Sequence, residues 1–357
     1  MKGLALFSRL ASLLLMASAL VIAPSLWADD GPEHQESSDF YGVSGGNVND
    51  ISRRFCCSGT LGSLVRDSSG ALHILSNNHV LARSGRASLG EDISQPGLID
   101  NGCRVAEVVA DLSAAPSLSS NVDAAIARLR SGAMRTDGAI LDIGTISSAV
   151  RSPAIGLAVQ KSGRTTGHTT GSITSINATV SVRYPKSCGS GGGTVHTFTN
   201  QVVVGQSDFS AGGDSGSLIV TTGSCPQPVA LLFAGSSTST IGNPAGQVLD
   251  RLTTALGSTV SFVGACGSAA AAILEEQPGQ LALDAVRRVT AIKERNENRL
   301  MSRDSVIGVG VGAADDNPTE AVIVVYVDET TGRTPRLPRR INGVRVKAVY
   351  TDPFVAF

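Results

Sequence analysis

The 357-residue chain is longer than one compact core usually organises, so two or more domains are expected. Aromatic residues make up only 4% and charged residues 17%, while glycine reaches 40 positions, a mix that suits an all-β protein with many tight turns rather than a helical bundle. A formal net charge of −1, with no concentrated Lys/Arg stripe, gives no global field for nucleic acid or anionic lipid.

The chain opens on a processing signal: Lys2 and Arg9 form a basic n-region, residues 13–23 a short apolar h-region, and Ala28 a cleavage position before Asp29. Residues 1–28 therefore read as a signal peptide, with export to the periplasm or the exterior and no membrane association once it is cleaved. The six cysteines (Cys56, Cys57, Cys103, Cys188, Cys225 and Cys266) all follow this segment, which favours up to three disulfides among 15 connectivities. Residues 29–50 are polar and rich in Gly, Ser and Asn, and read as a disordered leader.

From 51 to 266, short β-branched runs alternate with Gly, Ser, Asn and Pro; examples are 71–75, 105–110, 124–129, 171–182, 196–204, 217–221 and 229–234. Many short strands at this spacing indicate a sandwich or barrel. Residues 267–280 read as a linker. Beyond it the period changes: 281–301 carries Ala282, Ala285, Val286, Val289 and Ile292 on one helical face, and apolar strands follow at 306–311, 321–327 and 344–350. Residues 281–357 thus form a small α+β module.

Ser215 lies in Gly212-Gly213-Asp214-Ser215-Gly216-Ser217, directly before an apolar strand. Amide hydrolysis needs a nucleophile and donors for the oxyanion formed on attack, and the N–H groups of Gly213 and Ser215 can supply them. A serine also needs a base, and that base needs an orienting acid. Of the five histidines, His34 falls in the leader, His73 inside a strand, and His168 and His196 flank strands. His79 instead ends Ser76-Asn77-Asn78-His79-Val80, where a strand meets a turn. Asp123 heads a small apolar strand and must be hydrogen-bonded if buried; Asp111, Asp137 and Asp142 sit nearer turns.

The order His79, Asp123, Ser215 is that of the trypsin/chymotrypsin superfamily. Lys161-Ser162-Gly163-Arg164-Thr165-Thr166-Gly167-His168-Thr169-Thr170-Gly171 resembles the opening of the second barrel in bacterial streptogrisin and α-lytic-type proteases. Ser76-Asn77-Asn78-His79-Val80 resembles the histidine segment of Deg/HtrA-type proteases, and together with Gln95-Pro96-Gly97 it is similar to NARROW LEAF-type trypsin-like proteins.

The resemblance covers about 51–266. It implies two six-stranded antiparallel β-barrels, at about 51–150 and 155–266, with the C-terminal α+β module added. It also implies a secreted serine endopeptidase with His79 as base, Asp123 as its partner, Ser215 as nucleophile, and protein or peptide substrates. Phe209 aligns with the pocket base, with Asp208 one residue away, and the pocket wall runs through Phe233, Ala234, Gly235 and Ser236. Leu232 stands where glutamate-specific relatives carry a histidine. Asp214 has no assigned partner, and no cofactor is implied. The C-terminal module resembles a domain that accompanies such proteases, which implies an intramolecular contact that aids folding or inhibits. The alternative from another class is a catalytically silent barrel that binds a partner.

Overall fold

A computed structural model describes residues 34–52, 55–189, 192–266 and 281–356. The signal peptide, the linker at 267–280 and Phe357 lie outside the described residues.

The first barrel uses β1 (Val43–Asn47), β4 (Gly59–Leu61), β5 (Ser63–Asp67), β6 (Leu72–Ser76), β7 (Asp92–Gln95), β8 (Glu107–Ala114) and β9 (Ala125–Leu129), while β2 (Ile51–Ser52) and β3 (Phe55–Cys56) pair as a small hairpin outside it. β4 and β5 are two halves of one strand broken at Gly62. β4 pairs with β1 and β5 with β6, so the order β4/β5-β6-β9-β8-β7-β1 closes on itself as a six-stranded antiparallel barrel. Closure removes the free edges that would otherwise invite aggregation. Leu64, Ile74, Ile93, Leu112 and Ala127 share one face of these strands in a single buried cluster.

The second barrel uses β10 (Ala158–Gly163), β11 (Gly167–Pro185), β12 (Gly193–Val204), β13 (Leu218–Thr221), β14 (Pro228–Gly235) and β15 (Thr240–Pro244). Its order, β10-β13-β14-β15-β12-β11, returns to β10 and closes six antiparallel strands. A short helix α1 (Asn78–Leu81) follows β6. Helix α2 (Ala245–Leu256) leads to β16 (Val260–Phe262), which crosses back to pair with β5.

The α+β module does not stand apart. Helix α3 (Leu283–Met301) covers β17 (Val306–Ala313) and β18 (Ala321–Asp328); β19 (Arg340–Ile341) and β20 (Val344–Thr351) form a hairpin, with β20 parallel to β18. β17 pairs antiparallel with the long β11, so the module extends the sheet of the second barrel. β18 is buried on both faces: Val322, Val324 and Tyr326 pack toward Val182, Tyr184 and Phe198, while Ile323, Val325 and Val327 pack toward α3. The last strand, β21 (Val355–Ala356), sits between β11 and β14.

The leader reading is corrected for part of its span. Residues 43–47 form β1 inside the first barrel, with Tyr41 and Val43 fully buried. The Gly, Ser and Asn content that resembles disorder serves close strand packing there. The disulfides are Cys56–Cys103, Cys57–Cys188 and Cys225–Cys266. The second ties the first barrel to the β11–β12 end of the second.

Candidate functional site

Each residue of the histidine segment has a separate anchoring task. The Ser76 hydroxyl donates to the Thr60 carbonyl at 2.6 Å, Asn77 Nδ2 donates to the Asp123 carbonyl at 2.7 Å, and Asn78 Nδ2 donates to the Pro116 carbonyl at 2.8 Å. The turn that follows presents His79, whose Nδ1–H donates to Asp123 Oδ2 at 2.6 Å and whose backbone N–H donates to Asp123 Oδ1 at 3.1 Å.

Asp123 is fully buried, so its carboxylate must be satisfied by such donors. A further one was not legible in the sequence: the Tyr184 hydroxyl donates to Asp123 Oδ2 at 2.7 Å. Burial pushes the Tyr184 phenol well above its usual range, reinforced by the Asp123 charge, so it remains a proton donor. On the backbone side, the Asp123 N–H donates to Asn243 Oδ1 at 2.9 Å, and Asn243 in turn donates to Gln201 at 2.6 Å. His79 is thus held by an acid that is itself anchored from both barrels.

Ser215 arrives on a turn buttressed from beneath. Asp214 accepts from the N–H groups of Thr165, Thr166 and Ala211 at 2.8, 3.2 and 2.9 Å and from the Thr166 hydroxyl at 2.7 Å, and it lies 3.6 Å from Lys161 Nζ. Both members of that ion pair are fully buried. The open question of what Asp214 meets is answered by Lys161, Thr165 and Thr166, the same run that marks the start of the second barrel. Arg164 of that run donates to Asp100 at 2.6 Å.

Gly213 has φ +99°, which favours glycine. The Gly212 carbonyl is held by the Thr165 hydroxyl at 2.7 Å, and the Asp214 carbonyl by the Ser217 hydroxyl at 2.6 Å. In a planar trans peptide the N–H points opposite its carbonyl, so the N–H groups of Gly213 and Ser215 face away from these anchors. The Ser215 hydroxyl donates to the Phe233 carbonyl at 3.2 Å, and its own carbonyl accepts from the Thr60 N–H at 2.8 Å. Gly59 lies between Val80, next to His79, and the Ser215 carbonyl: a Cβ there would come within 2.6 and 2.8 Å of them. Ser215 and the His79 turn therefore flank one backbone.

The expected pocket residues divide. Phe233, Ala234 and Gly235 form the end of β14, with Phe233 packed on Phe198 at 4.9 Å between centroids, and Ser236 follows the strand. Phe209 belongs elsewhere: its ring is buried with Leu157, Val159, Ile173 and Leu232 in the second-barrel core, a different cluster from that of Phe233 and Ala234. Its apolar side chain follows the barrel interior. Asp208 is exposed. Beside His79, a depression of about 580 Å³ is lined by Asn78, Arg86, Leu118, Tyr184, Lys186 and His196.

The remaining histidines have structural partners. His73 is buried and bonds Ser113 and Asp67 at 2.9 and 3.3 Å, His34 bonds Asp142 at 3.0 Å, His168 bonds Gln160 at 2.8 Å, and His196 bonds Thr194 at 3.0 Å.

Solved structures similar to this chain include a glutamic acid specific serine protease described as using a histidine triad in substrate binding. It shares 22% identity over 62% of this chain and 99% of that one, with a TM-score of 0.44. Thermobifida fusca Protease A shares 20% identity over 64% of this chain and 100% of that one, with a TM-score of 0.41. Cellulomonas bogoriensis chymotrypsin shares 18% identity over 64% of this chain and 100% of that one, also with a TM-score of 0.41. No protein-family model and no curated protein matches the sequence.

Proposed function

We propose that the chain is an exported serine endopeptidase in which Ser215 is the nucleophile, His79 its base and Asp123 the acid that orients the base. The observation that carries this reading is the 2.6 Å His79–Asp123 bond on a carboxylate further clamped by Tyr184. An acid so held fixes the imidazole with Nδ1 protonated, leaving Nε2 able to accept a proton.

In this mechanism the Ser215 hydroxyl attacks the peptide carbonyl carbon while His79 Nε2 takes its proton. The oxyanion is stabilised by the N–H groups of Gly213 and Ser215. Collapse breaks the C–N bond as His79 returns the proton to the leaving amine. Water, deprotonated by the same histidine, then hydrolyses the acyl-enzyme. Phe233, Ala234, Gly235 and Ser236 line the acyl-side binding strand, and the C-terminal module regulates access to it.

Turnover of a peptide library by the purified full chain tests the reading. Ser215→Ala and His79→Ala should each lower kcat at least about a thousandfold, since triad members act as a unit. Hydrolysis that survives Ser215→Ala would overturn it, and a folded wild type and tail variants without turnover would favour the partner-binding alternative.

A further inference from the structure

The groove beside Ser215 is already filled by the chain itself. Ala356 is registered against Ala234 and Val355 against Gly235 in an antiparallel pair. The next residue of β14 toward Ser215 is Phe233, whose carbonyl accepts the Ser215 hydroxyl. β21 therefore runs from amino to carboxyl end toward Ser215, the direction in which the acyl half of a peptide substrate must approach.

The seat is built for a strand on both sides. Val355 is also in parallel register with Arg183 of β11, and the Arg183 N–H donates to the Phe354 carbonyl at 2.9 Å. Phe354 and Ala356 are 1% and 2% exposed, and Val355 is less buried, as expected where side chains alternate along a strand. Phe354 stacks edge-on against Tyr326 at 5.6 Å, and Ala356 shares a cluster with Tyr184, Phe198 and Phe233. Upstream, Asp352 accepts from the Ser237 N–H at 2.7 Å, and Thr351 donates to Ser236 at 2.7 Å, so the tail grips the segment that follows the groove.

We infer that β21 holds the place of the acyl half of a substrate, and that the groove selects extended peptides with a small residue at the Ala356 position and an aromatic one at the Phe354 position. This rests on the serine-peptidase reading for its consequence but not for its binding geometry. Main-chain pairing gives such a groove its affinity, and alternate side-chain pockets give it selectivity. The register, continued by one residue, brings the following carbonyl of a bound peptide opposite Phe233 and hence to Ser215. Phe354 reaches its pocket only together with Tyr326 of the module, so the aromatic preference belongs to the complete chain.

A tethered strand of about 0.1 mM intrinsic affinity, at an effective concentration of about 1 mM, lowers access about tenfold. The test is the rate of fluorophosphonate labelling of the full chain, wild type against Val355→Pro, which removes a strand N–H, and Phe354→Ala, which empties the aromatic pocket. Exposed Tyr350→Ser is the control.

The expected result is labelling about tenfold faster in both tail variants and unchanged in the control. In parallel, a fluorescent Asp-Pro-Phe-Val-Ala peptide is titrated by anisotropy onto the Ser215→Ala/Val355→Pro chain, where it should bind, and more weakly when its Phe is replaced by Ser. If Val355→Pro fails to fold by circular dichroism, Phe354→Ala carries both measurements.

Equal labelling rates, or absence of peptide binding, would overturn the inference and leave the peptidase reading intact. Peptide binding without labelling in any folded variant would uphold the groove and sink the peptidase reading.

Discussion

Tyr184 is where residue-scale chemistry departs furthest from what the motifs announce. Its hydroxyl donates to the buried carboxylate that holds His79, and a hydrogen bond to a charged group is worth about 1.5–3 kcal/mol. Tyr184→Phe should therefore lower kcat about tenfold or more with KM little changed, and lower the melting temperature by several degrees. Unaltered kcat would remove Tyr184 from the positioning machinery.

A second residue-scale expectation concerns pH. Asp67 is pulled down to about 2 by the Ser69 hydroxyl and by N–H donors from Ala71 and Ser69, with His73 contributing. Because the folded value lies below the unfolded one, the stabilisation is present above the ordinary carboxylate range and is lost as pH falls from about 4 toward 2. Asp67→Asn should destabilise the protein at pH 7 yet leave its stability at pH 2 unchanged, as thermal melts across that range would show. Ser215, His79 and Asp123 stand out in the sequence as candidates because their local motifs are strong. Tyr184 was not, because its role depends on a contact 61 residues away from Asp123 that only the folded β11 creates.

At the scale of elements, the run from Lys161 to Thr166 reads in sequence as a marker of the second barrel and in structure as the support of the Ser215 turn. The Lys161–Asp214 pair is fully buried, so Lys161→Met leaves a buried carboxylate held by hydrogen bonds without its cation and should cost about 3–5 kcal/mol. Chemical denaturation would measure this; a neutral outcome would show that Thr165 and Thr166 suffice to hold Asp214.

β17 offers a contrasting case. Its Gly308-Val309-Gly310-Val311-Gly312 alternation allows close approach to β11, and a Cβ on Gly310 would fall 2.3 Å from Ser175 Oγ. Gly310→Val should therefore loosen the module, and limited proteolysis should release it faster than from the wild type. The strands themselves were visible from their β-branched periodicity. The pairing of β17 with β11 was not, because composition carries no register across more than 120 intervening residues. β1 was missed for the opposite reason: its Ser-Gly-Gly-Asn run imitates a loop and leaves Val43 as the one apolar side chain in the strand.

At the scale of the whole molecule, two closed barrels present His79 and Asp123 from the first and Ser215 from the second. The appended module adds strands to the second barrel and returns β21 to the groove between β11 and β14. The Cys57–Cys188 link, spanning 131 residues, fastens the hairpin that carries this extension to the first barrel. Two barrels and an α+β module were legible from strand spacing and the change of period. The union of the second barrel and the module into one continuous sheet was not, because the apolar faces of β18 could equally have packed within a separate domain.

The central claim is that His79 and Asp123 activate Ser215. The most direct measurement is mass-spectrometric mapping of a fluorophosphonate adduct on the Val355→Pro chain, with and without His79→Ala. The account predicts one adduct per chain, on Ser215, lost when His79 is replaced. A folded chain that carries no adduct there, or one that labels equally without His79, would contradict it.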